Sequence, residues 1–173
     1  PGTGDDGWLR ALHAVVAPLL SAFRPDVLVT QCGADAHARD PLADLRLSVD
    51  GQRAAYHALR AWADACCAGR WLATGGGGYA HVEVVPRAWA HLLGVLVDAP
   101  VPPDRLTPAS WRALATARRP GVAPPLRMTD GAAAAYRPWP PAGAPDAVDA
   151  AIAETRRRVF PAHGLTAGAA AGG

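Results

Sequence analysis

Residues 27–45 read VLVTQCGADAHARDPLADL, and the fold turns on whether this is a strand ending in a chemically loaded turn or an apolar run with a polar tail. Asp26–Cys32 carries a short continuous apolar run rich in β-branched side chains, which reads as a strand buried in a parallel sheet. Gly33-Ala34 then lets the backbone turn tightly, and Asp35, His37 and Asp40 follow at once. A second short run, RWLAT at 70–74, is cut off by four glycines and followed by Tyr79-Ala80.

Helical patterns surround both runs. Trp8, Leu9, Leu12, Val15, Val16, Leu19, Leu20 and Phe23 recur at helical spacing, with Asp5 or Asp6 as cap, Pro18 as a kink and Pro25 as the end. A second helix is expected over 51–67, with Ala54, Ala55, Leu59, Trp62 and Cys66 on its inner face and Gly69 as its stop. A third is expected over 84–97, with Trp89, Leu92, Leu93 and Leu96 inward. Helix, strand, helix, strand, helix indicates an α/β domain with parallel strands and flanking helices. We divide the chain into an α/β part at 1–98, a Pro/Ala-rich peripheral segment at 99–164 carrying one short helix over 146–160, and a disordered tail at 165–173.

The chain has 173 residues, half of them hydrophobic, which suffices for one globular core. Its net charge of +2 comes from scattered arginines, which argues against a nucleic-acid partner; Arg156-Arg157-Arg158 reads as a solvated helix face. The absence of lysine and asparagine beside abundant alanine, arginine, glycine and proline reflects a GC-rich coding bias. Cys32, Cys66 and Cys67 contain no CxxC pair and suggest no disulfide framework, so a reducing cytoplasm is expected. Neither a signal peptide nor a membrane-length apolar run is evident. The first residue is Pro1 and the only methionine is Met128, so the chain is expected to be a processed or partial product.

Ligands of parallel α/β sheets collect beyond the carboxyl ends of the strands, where both polar constellations sit. Asp35 suits an oxygen ligand for a divalent metal, while spacing alone favours a helix cap or Asx-turn. His37 suits a second ligand, a hydrogen-bond donor behind one, or simple packing. Asp40 before Pro41 reads as turn chemistry, and Cys32 as a small buried hydrophobe. The glycine run lacks the lysine and hydroxyl residue of a P-loop. It fits GxGxxA through Gly75, Gly77 and Ala80, with Asp98 as a ribose-binding acid, which gives a nucleotide-binding module as one alternative. It also fits a wall stripped of side chains, from which the Tyr79 hydroxyl donates to a developing oxyanion.

Taken together and in this order, VLVTQCGADAHARDPLADLRLS and GRWLATGGGGYAHVEVVPRAW resemble the C-terminal part of histone-deacetylase-family proteins, most of all bacterial acetoin-utilisation deacetylases. The resemblance implies an arginase/deacetylase-type parallel sheet, present only as its C-terminal portion, and a zinc- or iron(II)-dependent amidohydrolase that converts acetyl-lysine to lysine and acetate. It makes Asp35 a metal ligand and Tyr79 the oxyanion donor. Gly77 and Gly78 line the acyl-lysine tunnel, and His37 lines the site. It implies an acetylated protein as substrate, for example an acyl-CoA synthetase. The family's DxH motif is absent except as Asp35/His37, which matches a later motif, and there is no His-His pair. The chain is therefore expected to need the missing N-terminal portion of the domain as its partner, to hold no metal alone and to be inactive alone. A non-catalytic remnant is the remaining alternative.

Overall fold

The two apolar runs become parallel neighbours, β1 (Leu28–Gln31) and β2 (Trp71–Thr74), paired from Leu28 with Trp71 to Gln31 with Thr74. They belong to a computed structural model that describes residues 1–168. The crossover between them is α3 (Val49–Cys67), which starts where the Ser48 side chain accepts the Gly51 N–H at 3.0 Å. It stops on two left-handed residues, Ala68 (φ +51°) and the expected Gly69 (φ +75°). After β2 comes α4 (Val85–Leu96), with Pro86 in its first turn, where a missing N–H costs nothing. The expected parallel α/β arrangement is the one the chain adopts.

The inner faces differ in detail from expectation. On α3 the buried side chains include Ala55, Tyr56, Ala63 and Cys67, while Trp62 is half-buried, its ring edge-on to His13 with centroids 5.0 Å apart. On α4, Ala88, His91, Leu92 and Val95 are buried and Leu93 is exposed. A helix that is apolar nearly all round does not reveal its inward side by period alone. Both helices cover the same side of the sheet. Leu28 packs with Ala63 and Cys67, and Trp71 and Ala73 pack on Cys32, Tyr56, Leu92 and Val95. On the other side Val29 and Leu72, opposite one another in the register, are 61% and 55% exposed.

The expected kinked first helix is three segments: α1 (Asp5–Ala11), a π-helical stretch Leu12–Val16, and α2 (Ala17–Phe23). Pro18 cannot donate to the Ala14 carbonyl as an α-helical residue would. Arg156 donates to that carbonyl instead, at 2.6 Å. This corrects the reading of the arginine triplet: Arg157 and Arg158 are exposed, but Arg156 is buried, with its guanidinium over the rings of Trp139 and Phe160.

The C-terminal segment holds an unanticipated helix, α5 (Ala109–Arg118), whose single buried residue, Ala115, gave no apolar stripe to read. It also holds the expected last helix, α6 (Ala147–Val159), opened by a capping box between Asp146 and Asp149 and continued by a 3₁₀ turn at Phe160–His163. Arg10, 1% exposed, donates to Asp149 and Asp146 at 2.8 Å each and so docks α6 on α1. Of the tail, Ala167 and Gly168 accept hydrogen bonds from Arg156, while 169–173 lie outside the described residues. Cys32, Cys66 and Cys67 are free thiols. Among the described residues no helix is long and apolar enough to cross a membrane.

Candidate active site at the strand ends

The two strand-end loops are joined through their backbones. Cys32 N–H extends the ladder by donating to the Thr74 carbonyl at 2.9 Å, and Ala34 N–H donates to the Gly77 carbonyl at 2.7 Å. The Ala34 carbonyl in turn accepts from the Gln52 amide at 3.3 Å. Asp35 therefore starts from an anchored residue, and its half-buried carboxylate lies over the glycine loop. A β-carbon on Gly33 would stand 2.8 Å from its Oδ1, and one on Gly77 would fall on the carboxylate itself. A β-carbon on Gly78 would meet Val85 at 2.8 Å. The glycine run is thus shaped to let a carboxylate approach backbone, a space requirement rather than a demand for flexibility.

Asp35 accepts none of the hydrogen bonds recorded among the described residues, unlike a helix cap or an Asx-turn. The turn is made by Asp40, whose Oδ1 accepts the N–H groups of Leu42 and Ala43 at 2.9 and 3.2 Å. Its Oδ2 accepts the Tyr79 N–H at 2.9 Å. Burial opposes ionisation of Asp40, but the amides of Leu42, Tyr79 and Ala43 together with nearby His37 win, and its pKa lies below the ordinary aspartate range. Asp40 was expected as turn chemistry and is that. Its reach to the tyrosine was missed, because nothing local signals a bond across 39 positions. Tyr79 itself is 44% exposed, fixed through its backbone with its ring toward solvent.

His37 is 4% exposed. Its Nδ1 accepts the Arg39 N–H at 3.0 Å, so the proton sits on Nε2, which donates to Asp130 Oδ2 at 2.9 Å. Both ring nitrogens are engaged, and the imidazole faces Asp130 of the C-terminal segment. Asp130, absent from the sequence reading, also accepts from Val49 N–H at 2.8 Å and pairs with Arg87 at 2.9 Å.

Among the described residues no group of three or more His, Cys, Asp or Glu side chains is placed to hold a metal. A catalytic zinc takes about three protein ligands. Asp35 offers one carboxylate, so these residues do not make a metal centre by themselves. The nucleotide alternative fits the geometry poorly. The helix begins at Val85, past a turn at 81–84, and Asp98 lies beyond that helix, bonded to Arg60 at 3.2 Å. The Asp35 carboxylate, moreover, lies against Gly77, where its charge would repel a phosphate.

A family model for the histone deacetylase domain matches residues 1–96. The chain is 37% identical over 109 residues to the acetoin utilization protein AcuC of Bacillus subtilis (strain 168), covering 63% of this chain and 28% of that protein. It is 34% identical over 111 residues to AcuC of Staphylococcus aureus (strain MRSA252), covering 64% of this chain and 28% of the relative. The chain thus spans less than a third of the length of these relatives. Among solved structures, the crystal structure of the HDA15 HD domain is similar with a TM-score of 0.42 and 28% identity, over 56% of this chain and 25% of that one.

Proposed function

The chain belongs to the histone deacetylase family, and from that membership we propose that it supplies one side of a lysine deacetylase active site. In this reading Asp35 is one ligand of a zinc or iron(II) ion whose other ligands come from outside the chain. When bound, the metal supplies Lewis acidity toward the acetyl carbonyl. The chain's own residues do the rest of the work on this side. Gly77 and Gly78 line the path of the narrow acyl-lysine, and the Tyr79 hydroxyl donates to the oxygen that gains charge as the amide is attacked.

The observation that carries the reading is the Ala34–Gly77 hydrogen bond, which brings the turn of Asp35 and the loop of Tyr79 to one place and leaves the carboxylate uncommitted. That the domain is completed by a further portion is supported by the sheet. Parallel sheets are found almost only with both faces covered, and here Val29 and Leu72 stand exposed on a two-stranded sheet. The substrate in this reading is an acetylated protein lysine, and a metabolic enzyme such as an acyl-CoA synthetase is the kind of protein proposed to carry it. A cytoplasmic location is part of the same proposal.

The test has two parts. The chain alone should bind no stoichiometric zinc and release no acetate from an acetyl-lysine peptide. Joined to the completing portion, it should turn over, and Tyr79→Phe should lower kcat about 100- to 1,000-fold, the loss typical of one oxyanion donor. Zinc-dependent turnover by the isolated chain, or a Tyr79→Phe enzyme of undiminished kcat, would sink the reading.

A further inference from the structure

We propose that Asp130, which lies beyond the family-matched residues 1–96, is a positioning residue that sets the turn carrying Asp35 by holding the His37 imidazole. This rests on the reading of Asp35 and Tyr79 above. The Asp130 carboxylate collects donors from three different elements. They are His37 in the turn after β1 (2.9 Å), the first residue of α3, Val49 (2.8 Å), and Arg87 of α4, which is 3% exposed (2.9 Å). The segment is tied down independently of that carboxylate. The N–H groups of Asp130 and Ala132 donate to Asp50 Oδ2 at 2.9 and 3.2 Å, and His91 bonds the Met128 carbonyl at 3.0 Å. Asp130 is therefore a fixed point, and His37 is held against it.

What His37 fixes follows from its neighbours. It stands two positions after Asp35 and three before Asp40, and its carbonyl accepts the Asp40 N–H at 2.9 Å. Ala38 N–H and the Ala36 carbonyl flank it with bonds to Leu47 at 2.9 and 3.0 Å. The imidazole is thus the pivot between the Asp35 carboxylate and the Asp40 carboxylate that seats Tyr79. Partners behind a site's ligands typically change metal affinity or activity by about 10- to 100-fold when removed. A merely structural glue would lower stability without a signature at His37.

The test begins on this chain. In the parent, imidazole nitrogen NMR should report His37 as the Nε2–H tautomer. In Asp130→Ala the Nε2–H loses its acceptor, so the His37 Nε2 resonance should shift, and amide exchange at Arg39 and Asp40 should speed up about tenfold or more, with α6 amides unchanged. His37→Phe, which also removes the acceptor of the Arg39 N–H, should speed exchange at Asp40 to the same extent, and the double variant no more than His37→Phe alone, because Asp130 reaches this turn through the imidazole. Should Asp130→Ala fail to fold, Asp130→Leu, which fills the space but offers no acceptor, carries the same comparison. In the completed enzyme Asp130→Ala should lower kcat about tenfold with KM within twofold. An unshifted His37 Nε2 resonance, or additive exchange effects of the two single variants, overturns the inference. So does a kcat within twofold when Asp35→Asn and Tyr79→Phe abolish turnover. If those two leave turnover intact, the reading of the site has failed instead, whatever Asp130 does.

Discussion

The two faces of the β1–β2 sheet are built to different standards. On the helix-covered face Leu28 is packed against Ala63 and Cys67, and the strand-end turns above it are fixed by Asp40 and Asp130. On the opposite face Val29 and Leu72 meet solvent. The contrast teaches that arranging part of a site and closing a core are separable. Point hydrogen bonds to two carboxylates hold a turn with a few atoms, whereas an apolar face requires a whole packed layer.

The sharpest way to break the contrast is to remove apolar volume on one face and then on the other. Leu28→Ala should destabilise the chain by about 2–5 kcal/mol, as buried Leu truncations do, read as a lowered urea midpoint.

A smaller loss is expected for Asp40→Ala, which strands three backbone N–H groups. The cost should be about 1–3 kcal/mol, with faster amide exchange at Tyr79. The pH dependence sharpens the same point. Because the folded-state pKa of Asp40 lies below its unfolded value of about 3.9, its contribution is fully present above that value. It is lost as pH falls through the folded pKa. The parent should therefore lose stability more steeply than Asp40→Ala on acidification below about pH 4, and parallel curves would show that Asp40 is not held as described.

The smallest effect belongs to the bare face. Val29→Thr and Leu72→Thr should each change stability by less than about 0.5 kcal/mol in the chain alone, because neither side chain is packed. A loss above 1 kcal/mol that grows with protein concentration would mean that this face is covered in solution by a second copy.

Much of this was legible along the chain. The strands, the crossover helix, the helix after the glycines and the capped last helix follow from apolar runs, periods and caps, which act within a few residues. The amphipathic pattern located α3 and α4 and found much of their inward sides, Ala55, Leu59, Trp89, Leu92 and Leu96, but it placed Leu93 inward, because that residue is as apolar as the ones that are packed. α5 was invisible because it buries so little.

By itself, the sequence determined the parallel strand pair, the glycine loop that must admit a close neighbour, the identity of Asp35 and Tyr79 as candidates, and the likeness to deacetylases. Only the tertiary structure decided what the other polar residues do. Asp40 seats Tyr79, His37 is turned to Asp130 across 93 positions, and Arg156, read as solvated, closes the carbonyl that Pro18 leaves without an α-helical partner. The reason is physical. A turn or a strand is encoded by the backbone preferences of adjacent residues, but the partner of a buried carboxylate or imidazole is whichever donor the packing brings within about 3 Å, and sequence spacing carries no record of that distance.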